Sequence, residues 1–351
     1  MKAIQTIICS LFLVGLGFSV TVHAEERPDW VDGRSSKYPD SQYLLGVGSG
    51  DDRRSAKNDT AMAMKRVFEA AIKQEIQEME KHLQLGSHPG SQTSSGTEKL
   101  FQIKKLVKTA GKKLKEAVTF AETWVDPTQV VYQLAILDRQ KAAAILKEEI
   151  DKEEDIIFEE YSAALEEKMS VAADKLVVAR HLYATIQAIM RRDLYNVDYR
   201  IAQHTGEGKR FEVLLKLVSP KLQEYLRNDF KIAMEMEGTP QIRKVLVELL
   251  TQQGFTVLQG TSASADIVIK GKASFRKIDR PSKNKQFIRW NIEMNLQDVK
   301  DGKTIGSVNR TGREAHLSDE EARVRAMRSI TKDVLPRLNR QLYGYIFNIT
   351  T

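Results

Sequence analysis

One long helical stretch, Arg139 to Arg192, decides the fold: RQKAAAILKEEIDKEEDIIFEEYSAALEEKMSVAADKLVVARHLYATIQAIMRR contains neither glycine nor proline. Nearly all of its residues favour helix. Apolar residues recur on one side at helical spacing; they are Ala143, Leu146, Ile150, Ile157, Tyr161, Ala164, Leu176, Leu182, Ile186 and Met190. A single helix of this length would be a rod of roughly 80 Å. We therefore predict a helical hairpin with its turn near Lys168–Asp174, and one continuous rod is the alternative.

Mixed patterns of strands and helices flank this hairpin, and they predict an α+β protein. The expected architecture is two small α/β-sandwich units joined by a long helical hairpin. With 351 residues, 42% of them hydrophobic and 29% charged, the chain has room for several domains and a globular composition. We predict a signal peptide at 1–24, an α+β domain at 25–139, a helical spacer at 140–205 and a second α+β domain at 206–351.

The first residues have the features of a secretory signal peptide. Lys2 precedes a mostly apolar, uncharged run from Ile4 to Val22, and Val22-His23-Ala24 offers small residues at the cleavage positions. We predict cleavage after Ala24; an uncleaved membrane anchor is the alternative, since the run is long enough to span a bilayer. The single cysteine, Cys9, lies in this leader, so the mature chain would have no disulfide and no thiol catalyst. Export without disulfides favours a bacterial periplasm.

A strand, a glycine-rich turn and a long helix are expected at the start of the first unit. Glycines at 46, 48 and 50 precede the helix, where a phosphate loop would lie. The spacing is not G-x-G-x-x-G and no Lys-Ser or Lys-Thr follows, so sharp turning is the preferred explanation. The predicted elements are a strand at Tyr43–Val47, a turn at Gly48-Ser49-Gly50, a helix at Ser55–Leu83, a flexible insert at Gly86–Gly96, a Lys-rich helix at Leu100–Leu114, and strands at Val118–Val125 and Gln129–Leu137.

Two groups of short motifs in this unit occur in a fixed order. They are Pro28-x-Trp30-Val31, Tyr38-Pro39 and Tyr43-Leu44-x-Gly46-Val47-Gly48-x-Gly50, then Trp124-Val125-Asp126-Pro127 and Val131-Tyr132-x-Leu134-Ala135-x-Leu137-Asp138-Arg139. In this order they resemble the bacterial envelope lipoprotein family LPP-twenty, and flagellar assembly protein T has a related N-terminal domain. The resemblance implies an envelope protein. The chain departs from the family at Cys9, because members are often acylated and Ile7-Ile8 before this cysteine do not form a lipobox.

The second unit is predicted to combine strands and helices after a connector at Tyr195–Gly208. Strands are expected at Phe211–Val218, Phe230–Met236, Phe255–Leu258, Ala265–Ile278, Phe287–Leu296 and Ile305–Arg313, and helices at Leu222–Leu226, from Pro240, and after the capping box Ser318-x-x-Glu321. This order, with Gln253-Gly254-Phe255 and Ala265-Asp266-Ile267-Val268-Ile269-Lys270-Gly271, resembles modules of the N-terminal domain of TolB, the curli secretion channel and flagellar assembly protein T. The resemblance implies a role in envelope assembly or transport.

The most basic part of the chain lies between residues 270 and 289, where Asp279 is the single acid; the formal net charge of the whole chain is +7. Three interpretations compete. In the first, the basic residues contact anionic lipid headgroups or glycan phosphates. In the second, they bind nucleic acid, which the signal peptide and the scarcity of aromatic residues disfavour. In the third, they form a solvated edge strand. The candidate contacts with an anionic surface are Lys272, Arg276, Lys277, Arg280, Lys283 and Lys285.

No motif indicates a catalytic, cofactor-binding or metal site, and the glutamates clustered between 148 and 160 are expected to form a solvated helix face. We therefore expect a non-catalytic periplasmic protein of envelope assembly or scaffolding, associated with the outer membrane. Its expected partners are other envelope proteins and an anionic envelope surface, not nucleic acid. The alternatives are a flagellar basal-body assembly factor and an envelope hydrolase, whose two carboxylates would converge about 5 to 9.5 Å apart.

Overall fold

The computed structural model of the protein describes residues 26–82, 106, 112–203, 212–252, 254–258, 262–278 and 285–349. The predicted signal peptide, the insert at 86–96 and most of the predicted helix 100–114 lie outside these residues. The described part has two sheets and a long pair of helices, which confirms the predicted α+β class. None of the helices in these ranges combines the length and the apolar composition that crossing a membrane requires.

The first sheet has three antiparallel strands in the order β1-β3-β2, with one long helix against one face. The elements are β1, Tyr43–Gly50, α1, Arg53–His82, β2, Val118–Val125, and β3, Val131–Asp138. Ala56, Thr60 and Met64 are buried and recur every four residues, so they form the stripe with which α1 contacts the sheet.

The turn predicted at Gly48-Ser49-Gly50 is wrong, because these residues belong to β1. Gly48 pairs with Gln133 of β3 in a regular antiparallel ladder. The glycine is required by close helix packing rather than by turning, since a Cβ atom at Gly48 would lie 2.1 Å from the backbone nitrogen of Thr60. The Thr60 hydroxyl also donates to the carbonyl oxygen of Gln133 at 3.0 Å, so α1 reaches β3 across the glycine strand.

A short 3-10 helix around Trp30 covers the other face of the first sheet, where Trp30 is buried in the same cluster as Trp124. Glu122 of β2 holds this segment in place. Its carboxylate accepts hydrogen bonds from Trp30 Nε1 and from the Tyr38 hydroxyl, each at 3.0 Å, and pairs with Lys37 at 2.5 Å. The hydrogen bond from Lys37 is the largest cause of a lowered pKa of Glu122, so the carboxylate stays ionised.

The helical pair consists of α2, Arg139–Met169, and α3, Lys175–Gln203. The hairpin is confirmed, with its turn at 170–174, and the single rod is wrong. Asp174 caps α3 by accepting a hydrogen bond from the amide of Leu176 at 2.9 Å. The buried residues of the two predicted stripes include Ile150, Ile157, Leu182 and Ile186.

Helix α3 extends to Gln203, so the predicted connector from Tyr195 is wrong over the described residues. Tyr195, Val197 and Ala202 are buried in the helical core. Residues such as Tyr, Asn and Val have modest helix propensity, and burial against neighbouring helices outweighs that weakness.

The second sheet has five strands in the order β5-β4-β6-β7-β8. Strand β4 pairs in parallel with β5 and β6, and the remaining pairs are antiparallel. The strands are β4, Lys231–Gly238, β5, Thr256–Leu258, β6, Ile267–Ile278, β7, Gln286–Asp298, and β8, Thr304–His316. Their order makes β6 and β7 interior strands and leaves β5 and β8 at the edges.

Three further helices are α4, Glu212–Asn228, α5, Pro240–Gln252, and α6, Asp319–Ile346. The strand predicted at Phe211–Val218 is wrong over its described residues. Leu215, Val218 and Leu222 are buried at helical intervals, so packing selects a helix there despite Pro220. The cap predicted for α6 is confirmed, because the Ser318 side chain accepts a hydrogen bond from the amide of Glu321 at 3.2 Å.

One cluster of buried apolar residues extends through α1, the helical pair and the helices and strands of the second unit. Ile186 of α3 and Ile330 of α6 both belong to it. The stacked rings of Tyr183 and Phe347, with centroids 4.6 Å apart, join α3 to the residues after α6. The helical pair is thus packed into a shared core, while the proposed domain boundaries stay predictions.

Candidate anion-binding face of the second sheet

Along β7, one face of the second sheet is covered and the other is open, whereas at the start of β6 both faces are covered, because Val268 and its partner Ala233 are buried as well. Along β7, Ile288, Trp290, Ile292 and Met294 are buried, whereas Arg289 and Glu293 between them are exposed. This alternation follows the two-residue period of a strand. Helix α6 packs on the buried face of β7 and β8, so the side chains of the other face meet solvent.

A row of three arginines crosses the open face. Arg276 of β6 lies directly opposite Arg289 of β7, which lies directly opposite Arg313 of β8. All three are exposed, and none has an ion pair within the described part of the chain. Like charges directly opposite each other on neighbouring strands destabilise a sheet. The arginine row, meaning these three residues, is therefore a concentration of charge that the fold itself does not neutralise.

The lysines beside the row differ from it, because acidic residues of β4 neutralise them. Lys272 pairs with Glu237 at 3.1 Å, and Lys270 pairs with Glu235 at 3.9 Å. These pairs follow from the parallel register of β4 and β6. Uncompensated positive charge therefore collects at the arginine row.

The structure brings together only some of the predicted contact residues. Arg276 is in the row and Lys272 is neutralised. Lys277 is exposed but lies opposite the buried Ile288, so it belongs to the covered side of β6. Lys285 is exposed immediately before β7. The other two predicted contacts, Arg280 and Lys283, lie outside the described residues.

The edge-strand interpretation of the basic residues is wrong, because Arg276 and Arg289 lie on interior strands. Protecting a sheet edge from aggregation cannot explain charges there. Arg313 was absent from the predicted contacts. Its position opposite Arg289 depends on the pairing register of β7 with β8, which shifts between Leu296 and Gln297 and which no local pattern marks.

An apolar row borders the arginine row. Ile278, Phe287 and Ala315 lie opposite one another, two residues further along the same strands, and are partly exposed. The Arg313 guanidinium lies 5.8 Å from the centre of the Phe287 ring, close enough for a cation–π contact. The face thus offers three planar donors beside a shallow apolar strip. Guanidinium groups bind carboxylates and phosphates through paired hydrogen bonds.

The buried carboxylates do not suggest a catalytic pair. Glu153 is held by Arg191 through two hydrogen bonds, at 2.6 and 2.8 Å, and Asp193 is held by Arg192 at 2.8 Å. Burial raises the pKa of Asp198 to about 7, with no second carboxylate among the causes. Within the described residues, no group of three or more His, Cys, Asp or Glu side chains could hold a metal ion.

Comparison with known proteins shows which family the first unit resembles. Residues 28–138 match the family model of the LPP20 lipoprotein. The match confirms the resemblance to the LPP-twenty family, and it ends at the last residue of β3. The arginine row lies outside the matched residues, so the family match does not account for it. The resemblance of the second unit to TolB and flagellar assembly protein T stays a prediction.

Several solved structures are similar to this chain. A minor lipoprotein from Acinetobacter baumannii has 18% identity and a TM-score of 0.24, over 34% of this chain and 90% of its own. The secreted protein HP1454 from Helicobacter pylori has 13% identity and a TM-score of 0.39, over 86% and 98%. Lipoprotein GNA1162 from Neisseria meningitidis has 10% identity and a TM-score of 0.23, over 30% and 98%. The comparison with curated proteins found no match.

Proposed function

We propose that the protein is a non-catalytic component of the bacterial cell envelope, exported to the periplasm and associated with the outer membrane. It acts as an assembly or scaffolding protein by binding an anionic envelope partner through the arginine row. The single observation that carries this proposal is the alignment of Arg276, Arg289 and Arg313 without acidic partners in the described part of the chain.

The family match supports the location, because the matched family consists of lipoproteins and the chain begins with a predicted signal peptide. The chemistry of the row supports binding rather than catalysis. Arginine stays protonated at physiological pH and cannot exchange protons as a general acid or base would. It does bind oxyanions through paired hydrogen bonds, which is what docking to phosphate or carboxylate groups needs.

The proposal is tested by removing two charges from the row. The Arg289→Gln/Arg313→Gln variant is expected to elute from a phosphate-bearing resin at lower salt than the wild type. It makes fewer ion pairs with the phosphates of the resin and therefore displaces fewer of their counterions. The matched control is Arg325→Gln/Arg328→Gln, two exposed arginines of α6 without described ion pairs. It removes the same charge and should elute close to the wild type.

A cellular experiment tests the role. In a deletion strain of the source bacterium, the wild type and the control variant should restore resistance to detergents, and the row variant should not. Equal behaviour of the two double variants in both assays would refute the proposal. A defect confined to swimming motility, with an intact envelope, would support the flagellar alternative.

A further inference from the structure

A second surface without a partner in the fold lies on the helical pair, at the end that carries the turn. Large apolar side chains that the fold leaves exposed there are Phe158, Leu165, Met169 and Val171. Phe158 is 74% exposed and Met169 is 85% exposed, although both belong to a helix whose other side is buried. At 100° per residue, Phe158, Leu165 and Met169 fall within about 40° of one another, so they form one stripe along α2.

Acidic residues flank this stripe. Asp155, Glu159 and Glu166 lie within about 40° of one another on one side of it, by the same helical geometry, and all are exposed. None of their three side chains has an ion pair or hydrogen bond within the described part of the chain. The tip stripe, meaning Phe158, Leu165 and Met169 with these three acids, therefore combines an apolar strip with unpaired negative charge.

Charge argues against two copies of the tip stripe packing on each other. In an antiparallel pair of α2 helices, the acidic side of one stripe would face the acidic side of the other. Like charges in contact disfavour an interface. A complementary occupant needs an apolar strip bordered by cations, and the sheet face of the same protein has this composition.

The dimensions of the two surfaces agree. Phe158 and Leu165 are seven residues apart, as are Glu159 and Glu166, which corresponds to about 10.5 Å along a helix. The outer members of a row across three strands are two strand spacings apart, about 9.6 Å. An α2 helix lying across β6, β7 and β8 would place its apolar residues over Ile278 to Ala315. It would then place its glutamates along the arginine row.

Within one copy, the turn and the arginine row lie at opposite ends of the second sheet. Asp174 in the turn lies 3.6 Å from Lys300, and Lys175 pairs with Asp266 at 2.9 Å, which puts the turn beside the start of β6. Arg276 is nine residues further along β6 than Ile267, a distance of about 30 Å. A contact between the two surfaces therefore joins two copies.

We infer that the tip stripe of one copy docks on the arginine row and apolar row of a second copy, so that the protein self-associates head to tail. This inference rests on the proposed function, and it names the anionic partner of the arginine row. An interface of this kind is heterologous, because two different surfaces meet. A pair joined in this way keeps one free tip stripe and one free arginine row, so assembly continues into a ring or an open chain.

Sedimentation velocity on the full exported chain, over a series of concentrations and salt strengths, tests the inference. The wild type is expected to grow in mass with concentration at low salt and to dissociate at high salt. Glu159→Arg/Glu166→Arg and Arg289→Glu/Arg313→Glu should each weaken self-association roughly tenfold or more, because each creates like-charge contacts. The control Arg325→Glu/Arg328→Glu should assemble as the wild type does.

Mixing the two defective variants gives the decisive result. The intact helix of the sheet variant docks on the intact sheet of the helix variant, and the two charge-reversed surfaces attract each other as well. The mixture is therefore expected to regain species of twice the monomer mass and larger, which neither variant forms alone at the same concentration. Thermal melting followed by circular dichroism shows that each variant is folded; if one is not, the corresponding Gln variants replace it.

A wild type that stays monomeric at every concentration and salt strength overturns the inference. A mixture of the two variants that stays monomeric overturns it as well. So does self-association that is unchanged in both charge-reversed variants. These outcomes leave the proposed function standing if the Arg289→Gln/Arg313→Gln variant still fails in anion binding and in cells. If that variant behaves normally there, the proposed function fails.

Discussion

Asp198 allows a quantitative test of the helical core. It is fully buried in α3, and both of its carboxylate oxygens lack a hydrogen-bond partner within the described part of the chain. Burial raises its pKa from 3.8 to about 7. Because the folded-state pKa is the higher one, the folded protein retains the proton over a pH range in which the unfolded chain has lost it.

The sign and size of the effect follow from proton linkage. The contribution of Asp198 to stability is fully present below pH 4, is lost as the pH rises from about 4 to 7, and is constant above that. The whole shift corresponds to about 4 kcal/mol at 1.36 kcal/mol per pKa unit. Between about pH 5 and pH 8 the linkage equation gives a loss of about 2.5 kcal/mol.

The Asp198→Asn variant keeps the size of the side chain and cannot ionise. Urea unfolding followed by circular dichroism, on wild type and variant, gives the free energy of unfolding at both pH values. The variant minus wild-type difference should rise by about 2.5 kcal/mol from pH 5 to pH 8, because the constant cost of the buried amide cancels. The control Asp155→Asn removes an exposed carboxylate of α2 and should show no such rise. Parallel pH profiles for Asp198→Asn and wild type would refute the account of Asp198.

Three further predictions concern packing and capping. Gly48→Ala should destabilise the first unit by about 1–3 kcal/mol in thermal melting, because its Cβ would overlap the backbone of Thr60; an unchanged melting temperature would contradict the packing described. Ile157→Ala should lower the free energy of unfolding by about 2–5 kcal/mol. Phe158→Ala, on the exposed side of the same helix, should change it by less than about 0.5 kcal/mol. Equal effects of the two substitutions would contradict the assignment of the buried and exposed faces of α2. Asp174→Ala should cost about 0.5–2 kcal/mol at neutral pH. Burial works against ionisation of Asp174, but backbone hydrogen bonds at the start of α3 lower its pKa overall. The stability lost in Asp174→Ala should therefore shrink as the pH falls below about 4. A loss that grows at low pH would contradict the role of Asp174 as a cap.

Local sequence patterns predicted most of the helices and strands. They failed where packing between distant parts of the chain selects the secondary structure. The hairpin of α2 and α3 was predictable because its apolar stripe repeats within a few residues. The first part of the helix at 212–228 was predicted as a strand, because Leu215 to Val218 is a short, mostly apolar run that suits a strand equally well. Burial of Leu222 and its neighbours on other helices selects the helix, and that information is distant in sequence.

The candidate site shows the same division. Basic residues near 270–289 were visible as composition, but composition alone did not separate Lys272, which Glu237 neutralises, from Arg276, which has no such partner in the described residues. The pairing of β4 with β6 makes that distinction. The tip stripe was not anticipated either, because the face of α2 that α3 leaves uncovered is known only once the two helices are packed.

The sequence by itself determined the class of fold, the helical hairpin, the positions of most strands along the chain and the likeness of residues 28–138 to a lipoprotein family, since these depend on spacing and short motifs. Only the tertiary structure decided that the glycines of β1 admit α1, that β6 and β7 are interior strands, and that Arg276, Arg289 and Arg313 form one row. The physical reason is that strand register joins residues far apart in the chain, so the electrostatic environment of each arginine depends on partners that no local pattern names.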